Sequence, residues 1–191
     1  MSTTVEPTLQ TETNWQLDAA HTNVEFAVKH LMISTVKGRF ADVSGTITGS
    51  IDEPHNVYVD ISIGVESIDT RQSQRDAHLR SPDFFDAAKW PTMRFVGSRV
   101  EGDLNGDFVL HGRLTIRDVT RDLALKVTNE GTLTDPWGNS RIGFSATAKI
   151  DRRDFGLTWN QALEAGGFVV GDEIRISIDT EFTATPSEQP A

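Results

Sequence analysis

The octapeptide NVEFAVKH, residues 23–30, decides the fold class because its apolar and polar side chains alternate with a period of two. Val24, Phe26 and Val28 share one face of an extended segment, and Glu25 lies on the opposite face. This alternation is typical of a β-strand that buries one face and exposes the other to water. The segment therefore predicts a half-buried strand, and the fold depends on how often the pattern returns.

The same alternation recurs along most of the chain. The clearest repeats are VYVDISIGVES (residues 57–67), DLALKVT (122–128), RIGFSATAKID (141–151) and DEIRISIDTEF (172–182). Weaker patterns predict further strands at 15–18, 36–51, 92–100 and 107–116. Asn105-Gly106 favours a tight hairpin turn, and DPWG at 135–138 suits another. The sequence therefore predicts eight or nine strands, most of them joined as an antiparallel meander.

Strands with one apolar face each form either a two-sheet sandwich or a closed barrel. Closure alone removes exposed strand edges, so the pattern favours the barrel. We therefore predict an all-β fold: an extended, eight-stranded antiparallel β-barrel with a short helical insertion. A barrel of about eight strands is just wide enough to be filled by side chains or to hold one small ligand. Its apolar lumen is the candidate binding site.

The two ends of the chain lack this periodicity. Residues 1–13 are rich in Thr and Glu, and residues 184–191 read ATPSEQPA. Segments of this composition bury too little apolar surface to offset the entropy lost on ordering. We therefore predict a flexible tail at each end and a single domain over residues 14–183.

Composition narrows the class of partner. The chain has 18 Lys and Arg against 28 Asp and Glu, a net charge of -10, so nucleic acid and an anionic leaflet are repelled on average. It has no cysteine, which excludes disulfides and thiolate sites. No stretch approaches the roughly 20 apolar residues of a membrane span, so we expect no stable membrane insertion. The N-terminal residues do not read as a signal peptide, and a cytoplasmic location is therefore expected.

A charged segment, DTRQSQRDAHLRSPDFFDAAKWP at residues 69–91, interrupts the strands. Its helix formers, followed by Ser81-Pro82 as a cap and first helical residue, predict two short helices over one barrel mouth. The alternative is an acid–base site made of Asp76, His78 and Arg80. Side chains two positions apart on a helix point away from each other, which favours the lid over the active site.

Other candidate chemistry is sparse. The five histidines lack the spacing of compact zinc sites, so no metal is expected. His30 is in phase with the apolar face of its strand, where it either meets the polar head of a ligand or is hydrogen-bonded in place. Residues 151–154 (DRRD) are interpreted as surface ion pairs. Trp159 either plugs the barrel or stacks on a ligand. No G-x-S-x-G or phosphate-binding glycine motif occurs.

Five ordered blocks carry a resemblance that covers the chain from Trp15 to about Phe182. They are LDAAHTNVEFAVKHLMISTVKGRF (17–40), SIDTRQSQRDAHLRSPDFFDAAKWPTMRF (67–95), GRLTIRDVTRDLALKV (112–127), GFSATAKIDRRDFGLTWN (143–160) and VGDEIRISI (170–178). Together they resemble the YceI-like family. The resemblance implies a lipocalin-like barrel around an elongated cavity that holds a polyisoprenoid or similar lipid, such as a quinone-like one. It also implies a possible homodimer and no catalytic residues.

The candidate ligand-binding residues follow from the apolar phase of the strands and from the aromatic residues near their ends. They are Phe26, Val28, Phe40, Ile61, Phe95, Leu125, Phe144, Phe155, Trp159 and Phe168, with His30 and Arg80 for a polar head. The leading hypothesis is non-enzymatic binding, transport or storage of a long-chain lipid. Two alternatives stay open: an enzyme that acts on a lipid headgroup through a histidine, and a solid structural barrel with a protein partner.

Overall fold

The structure is a computed structural model that describes residues 13–49, 56–164 and 166–185. The described residues form eleven strands and one α-helix. The strands are β1 Thr13–Leu17, β2 Asn23–His30, β3 Ser34–Phe40, β4 Val43–Gly49, β5 Tyr58–Gly64, β6 Ile68–Asp69, β7 Thr92–Gly102, β8 Asp107–Ile116, β9 Val119–Thr134, β10 Ser140–Asp151 and β11 Val170–Thr185. The helix, α1, is Ser73–Arg80.

Eight of these strands close into a ring. The order is β1-β4-β5-β7-β8-β9-β10-β11, every described pairing is antiparallel, and β11 returns to pair with β1. The predicted fold, an eight-stranded antiparallel barrel with a short helical insertion, is confirmed. Alternation sends one side chain in two to the inside, so the ring has an apolar lumen.

The remaining strands extend this ring. β1 pairs with β11 at residues 182–185, and β2 pairs with the same strand from Asp179 to Val170. β1 and β2 therefore follow one another along β11, with the 3-10 turn Ala19–His21 at the bend between them. β3 pairs with β2, and the two-residue β6 pairs with β3. Gly38 in β3 leaves the space that the Phe26 ring occupies, because a Cβ there would lie 2.4 Å from Phe26 Cζ.

The pairing registers define two ends of the barrel. We call one the turn end; it holds the β7–β8 connection at 103–106 and the β9–β10 connection at 135–139. We call the other the lid end; it holds the β2–β3 turn at 31–33, the segment 65–91 with α1, and the β10–β11 connection at 152–169. The sequence-predicted turns at residues 105–106 and 135–138 both lie at the turn end.

Two predictions about single elements were wrong. The strand predicted at 36–51 is two strands, because the chain turns at Ala41-Asp42 between β3 and β4; residue 51 lies outside the described residues. The second helix predicted from Ser81 is a series of turns. The Ser81 hydroxyl donates 2.7 Å to the His78 carbonyl, so it completes the end of α1. Asp86 then adopts a left-handed φ of 50°, which an α-helix does not continue through.

The described strands reach slightly beyond residues 14–183, the predicted limits of the domain. Thr13 belongs to β1 and pairs with Gly49, and β11 runs to Thr185, which pairs with Asn14. The sequence places these residues in the tails because Thr and Ala give no apolar alternation there. Backbone pairing with a neighbouring strand needs no such alternation. Residues 1–12 and 186–191 lie outside the described residues.

Candidate ligand-binding cavity

The barrel encloses a cavity of about 500 Å³ whose wall is almost entirely apolar. The lining includes Trp15 and Ile47 toward the turn end, and Leu79, Phe84 and Phe85 at the lid end. The cavity thus extends from one end of the ring to the other. A solid structural barrel, one of the alternatives left open by the sequence, is therefore wrong for this chain.

The cavity is long and narrow. On β11 the lining residues run from Val170 to Phe182, a distance of roughly 40 Å along the strand at about 3.3 Å per residue. With strands tilted by about 40°, this corresponds to roughly 30 Å along the barrel axis. A volume of about 500 Å³ spread over that length accommodates a slender chain better than a compact ring system.

Seven of the sequence-predicted residues lie in this wall, brought together from different strands by the inward phase of the alternation. They are Phe26, Val28, Phe40, Ile61, Phe95, Leu125 and Phe144. Phe144 also makes edge-on ring contacts with Phe108 and Phe182, with centroids 6.2 Å apart in both pairs. That these side chains contact a ligand stays a prediction.

Three predicted aromatic residues are not in the wall. Phe155 is buried, but it is the last residue of the 3-10 turn after β10 and packs in the core outside the cavity. Phe168 is 54% exposed. Trp159 packs against the lid and away from the lumen. All three belong to the connection between β10 and β11, where the period of two that defines inward positions no longer applies.

His30 and Arg80, the two residues predicted to bind the polar head of a ligand, do not line the cavity either. His30 is the last residue of β2, where it pairs with Val170 and Ser34, and its side chain does not line the cavity. Arg80 donates from Nε to the Glu66 carbonyl at 3.0 Å and from Nη2 to the Ile68 carbonyl at 2.8 Å. The Arg80 guanidinium therefore ties α1 to the chain that precedes it.

The acid–base group considered for the lid does not converge. Asp76 is buried and its Oδ1 accepts from the Thr70 amide at 2.9 Å and from the Thr70 hydroxyl. His78 Nε2 lies 2.9 Å from Asp83 Oδ2, and Arg80 is engaged with backbone carbonyls. Each of the three side chains has a separate structural partner, as expected for alternate positions on one helix.

The lid, residues 73–90, rests on the barrel through aromatic side chains. Phe85 meets Phe40 edge-on at 5.9 Å between ring centroids. Trp159 lies 4.7 Å from the His78 ring and 5.4 Å from the Phe84 ring. We call the contact of Trp159 with His78 and Phe84 the aromatic seam. It joins the lid to the β10–β11 connection over the end of the cavity.

Arg152 fixes the other side of the seam and corrects the interpretation of residues 151–154 as surface ion pairs. It is only 3% exposed. Its Nη1 donates to the carbonyls of Leu157 and Trp159 at 2.6 and 2.8 Å, and its Nε donates to the Gly171 carbonyl at 2.9 Å. Nη2 faces the Val170 carbonyl and Asp172 Oδ1 at 3.4 and 3.1 Å. All five N–H donors thus have acceptors, and none is left for a ligand.

Burial lowers the pKa of Arg152 from its ordinary value, and the Asp172 carboxylate opposes this shift. By contrast, Arg153 is exposed and lies 3.3 Å from Asp172, and its hydrogen bonds to Asp151 hold the pKa of Asp151 at about 2. The interpretation as surface ion pairs is therefore correct only for Arg153 and Asp151. No sequence pattern marks Arg152 as the buried member of two adjacent arginines.

Charged side chains gather on the outer wall near the turn end around Arg141. Its guanidinium donates to Asp135 at 2.8 Å, to Asp18 at 2.9 Å and to Glu181. We call these four residues the ionic cluster. Hydrogen bonds from His21 and Arg141 lower the pKa of Asp18 to about 2. Asp18, His21 and Glu181 are close enough to share a metal ion, but Arg141 already supplies the positive charge to both carboxylates.

Sequence reasoning missed many wall residues that share the phase of those it named. Examples are Met93, Phe108, Leu110, Leu114 and Phe182. These residues occupy inward positions of their strands, so the alternation identifies them when every inward position is counted. Phe84 and Phe85 were assigned to the lid but not to the wall. The polar wall residues, Thr13, Thr22, Glu25, Thr132, Arg152 and Thr180, have no signal of this kind.

Among the described residues, no helix is both long enough and apolar enough to span a membrane.

A closed antiparallel barrel around a long apolar cavity, capped by a short helix, defines a lipocalin-like β-barrel. The model of the YceI-like domain matches residues 15–182, so the chain belongs to the YceI-like family. It is 37% identical over 140 residues to a UPF0312 protein of Shewanella sp. (strain W3-18-1), which is 73% of each chain. The predicted family is therefore confirmed.

Two solved structures show the same architecture. The YceI protein of Campylobacter jejuni is 34% identical with a TM-score of 0.68, over 81% of this chain and 88% of that one. A polyisoprenoid binding domain from Saccharophagus degradans is 16% identical with a TM-score of 0.66, over 90% of this chain and 98% of that one. At 16% identity, the similarity to the Saccharophagus degradans domain is evidence for the fold alone. The family and fold support a binding role.

Proposed function

We propose that this protein binds a polyisoprenoid or a similar long-chain lipid in the barrel cavity and carries or stores it without changing it chemically. The observation that supports this most directly is the continuous apolar wall between the two ends of the barrel. The fold is shared with the polyisoprenoid binding domain of Saccharophagus degradans. A hydrocarbon chain is the ligand whose shape and polarity match such a wall.

Burial alone supplies the affinity. Each methylene moved from water into an apolar site contributes about 0.8 kcal/mol, a factor of roughly four in affinity. Affinity should therefore rise with chain length until the cavity is filled and level off beyond it. Because the Arg152 donors are all used, an anionic headgroup finds no free arginine in the wall and remains near a barrel mouth.

The lid is the part of this proposal that moves. Its base is tied by Arg80 and Asp76 to the chain around β6, whereas its far side touches the β10–β11 connection through the aromatic seam. Ring contacts of this kind contribute about 0.5–1.5 kcal/mol beyond area burial, much less than a strand pairing. Parting the seam, together with the Phe85–Phe40 ring contact and the hydrogen bond from Arg117 to the Phe84 carbonyl, opens the lid end while the barrel stays intact.

A binding role requires no reacting group, and the geometry supports this. Asp76, His78 and Arg80 each hydrogen-bond to a different structural partner, so they do not form a site for proton transfer. Within the described part of the chain, these contacts give no support to the enzyme alternative.

Lipid identification on the intact protein tests the proposal. Protein purified without detergent is extracted with organic solvent, and the extract is analysed by mass spectrometry. We expect a prenyl or similar long-chain lipid at a fixed ratio to protein. A cavity that holds no lipid after purification, and that takes up no fluorescent prenyl alcohol from dilute detergent, contradicts the proposal.

A matched pair of variants locates the site. Ala146 is buried in the wall on β10, and Ala124 is exposed on the outer face of β9. Ala146→Phe projects a ring into the cavity and should weaken uptake of the prenyl alcohol by at least about tenfold, since it displaces two or more methylenes. Ala124→Phe adds the same ring outside and should leave uptake unchanged. Equal effects in the two variants would place the lipid outside the barrel.

A further inference from the structure

The lid end carries an apolar group that faces solvent. Met32 and Ile33 in the β2–β3 turn are 64% and 85% exposed, and Phe168 in the β10–β11 connection is 54% exposed. These are three of the six large hydrophobic side chains that stand exposed among the described residues. Grouped exposed apolar side chains on a protein surface mark a contact with another molecule or with a membrane.

Backbone contacts place the β2–β3 turn next to the end of the β10–β11 connection. The Leu31 amide donates 2.9 Å to the Val169 carbonyl, and His30 pairs with Val170, so the turn lies against the residues that follow Phe168. Leu31 and Met32 adopt left-handed φ values of 51° and 62°, and the Ile33 amide donates to the His30 carbonyl at 3.2 Å. We call Met32, Ile33 and Phe168 the apolar rim.

The apolar rim continues into the cavity wall. Val28 lies two residues before His30 on β2, and Val170 lies two residues after Phe168 on β11. Both line the cavity. An apolar molecule that leaves the cavity at this point therefore meets apolar side chains up to the outer edge of the protein.

Local charge at the rim is opposite to that of the whole chain. Residues 27–40 contain Lys29, Lys37 and Arg39 and no acidic residue, which leaves 15 basic against 28 acidic residues elsewhere. Arg39 lies 3.5 Å from Asp69, whereas Lys29 and Lys37 are exposed and have no ion-pair partner within the described part of the chain. The neighbouring connection contributes two exposed acids, Asp154 and Glu164, and one exposed arginine, Arg153. The hairpin therefore presents positive charge behind an apolar tip.

We propose that the apolar rim is the contact with the surface of a bilayer that contains anionic lipid, where a lipid passes between the bilayer and the cavity. The inference rests on the function proposed above. Met32 and Ile33 enter the interface between headgroups and acyl chains, and the two lysines lie at the headgroup phosphates. The net charge of -10 repels the rest of the surface, so contact is transient and restricted to this end.

Co-sedimentation with vesicles tests the contact. We expect binding to vesicles of phosphatidylcholine with phosphatidylglycerol, weaker binding to phosphatidylcholine alone, and a decrease as salt is added. Met32→Asn/Ile33→Ser should weaken binding roughly tenfold or more, since two apolar side chains no longer leave water. Asn tolerates the left-handed conformation at position 32. Lys29→Gln/Lys37→Gln should weaken binding to the mixed vesicles by roughly fivefold per lysine.

The matched control is Leu133→Ser/Trp137→Ser, which removes two exposed apolar side chains from the turn end. It should bind vesicles as the unchanged protein does. Absence of vesicle binding by the unchanged protein, or equal loss in the rim and control variants, overturns the inference. Sedimentation velocity gives a further test. If the unchanged protein and the control variant self-associate but the rim variant does not, the inference is also overturned, because the rim is then a contact between two copies.

Uptake of prenyl alcohol from dilute detergent, without vesicles, separates this inference from the proposed function. The rim variant should take up the alcohol as the unchanged protein does, yet exchange a labelled prenyl lipid with vesicles at least about tenfold more slowly. If the rim variant shows normal uptake and normal exchange with vesicles, the proposed rim contact is wrong, but the proposed carrier function is not contradicted. Failed uptake in the unchanged protein removes the carrier function itself.

Discussion

The two ends of the barrel are held by different kinds of interaction. Near the turn end, Arg141 joins Asp18, Asp135 and Glu181, residues that are far apart in sequence, into the ionic cluster. At the lid end, the lid meets the β10–β11 connection through the aromatic seam. The turn end is held by one network of charged hydrogen bonds. At the lid end, Arg80 and Arg152 donate to backbone carbonyls at the base of the lid and within the β10–β11 connection, whereas the contact of the lid with that connection is made by rings.

This difference decides which end can open at low cost. Removing one member of the ionic cluster leaves charged groups without their partner, so separating the cluster costs more than parting ring contacts. Aromatic contacts give up little on parting and form again in several geometries. Arg152, which organises the β10–β11 connection, supplies the rigidity against which the lid can move.

The largest expected effect is the loss of Arg152. Arg152→Ala leaves several backbone carbonyls and Asp172 without their donor in a buried site. We expect the free energy of unfolding to fall by about 3–5 kcal/mol in urea denaturation. Arg153→Ala, at the neighbouring exposed position, should change the free energy of unfolding little. Similar losses in both variants would show that Arg152 does not hold the connection.

Arg141 is the equivalent test at the turn end. Arg141→Met removes the shared donor of three carboxylates and should lower the free energy of unfolding, by less than Arg152→Ala does. Uptake of the prenyl alcohol should not change, because Arg141 does not line the cavity. Arg175→Met, which loses only an exposed contact to Glu173, is the control. Impaired uptake in Arg141→Met would mean that the turn end also takes part in opening.

Acid should weaken the turn end through Asp18. Its pKa is lowered from 3.8 to about 2 by hydrogen bonds from His21 and Arg141, so its contribution is complete above pH 4. That contribution is lost as the pH falls through about 2. It is at most about 2 kcal/mol, because one pKa unit is worth about 1.4 kcal/mol and the group is partly exposed.

Urea denaturation between pH 5 and pH 2 measures this loss. Asp18→Asn cannot titrate and should show a shallower decline of unfolding free energy over that interval. Asp151, whose pKa is about 2 for a similar reason, continues to titrate in this variant, so some decline remains. Identical slopes in the two proteins would show that Asp18 is not stabilised in the folded state.

The sequence predicts the barrel well because its strands carry one apolar face each. The inward phase of Phe26, Ile61, Phe95 and Phe144 follows from alternation alone, and all four lie in the cavity wall. Alternation cannot say whether inward side chains meet at the centre or leave a space. That depends on ring closure and on the distance across the barrel, which are tertiary properties.

The lid end is where prediction from sequence fails most. Phe155, Trp159 and Phe168 lie in a connection without periodicity, and the backbone at Trp159 is held by a hydrogen bond from Arg152 that no pattern predicts. Of two adjacent arginines, only the structure shows which one is buried. The ionic cluster likewise cannot be predicted from the sequence, because Arg141 joins carboxylates as far apart as residues 18 and 181.

The smallest expected effect on stability tests the aromatic seam directly. Trp159→Leu removes ring contacts with His78 and Phe84 and should cost about 1 kcal/mol of unfolding free energy. If the seam closes the lid end, the same loss lowers the barrier to opening. Uptake and release of the prenyl alcohol should then both become about fivefold faster in stopped-flow fluorescence, with little change in Kd.

Trp137→Leu at the turn end is the control for this experiment, since Trp137 is 81% exposed. It should change neither rate. The ratio of the two rates distinguishes a gate from a wall residue. A change in a gate alters uptake and release equally, whereas a change in a wall residue alters release and hence Kd. A Trp159 variant that releases lipid faster but takes it up at the original rate would place Trp159 in contact with the ligand, and the lid would then have no demonstrated role.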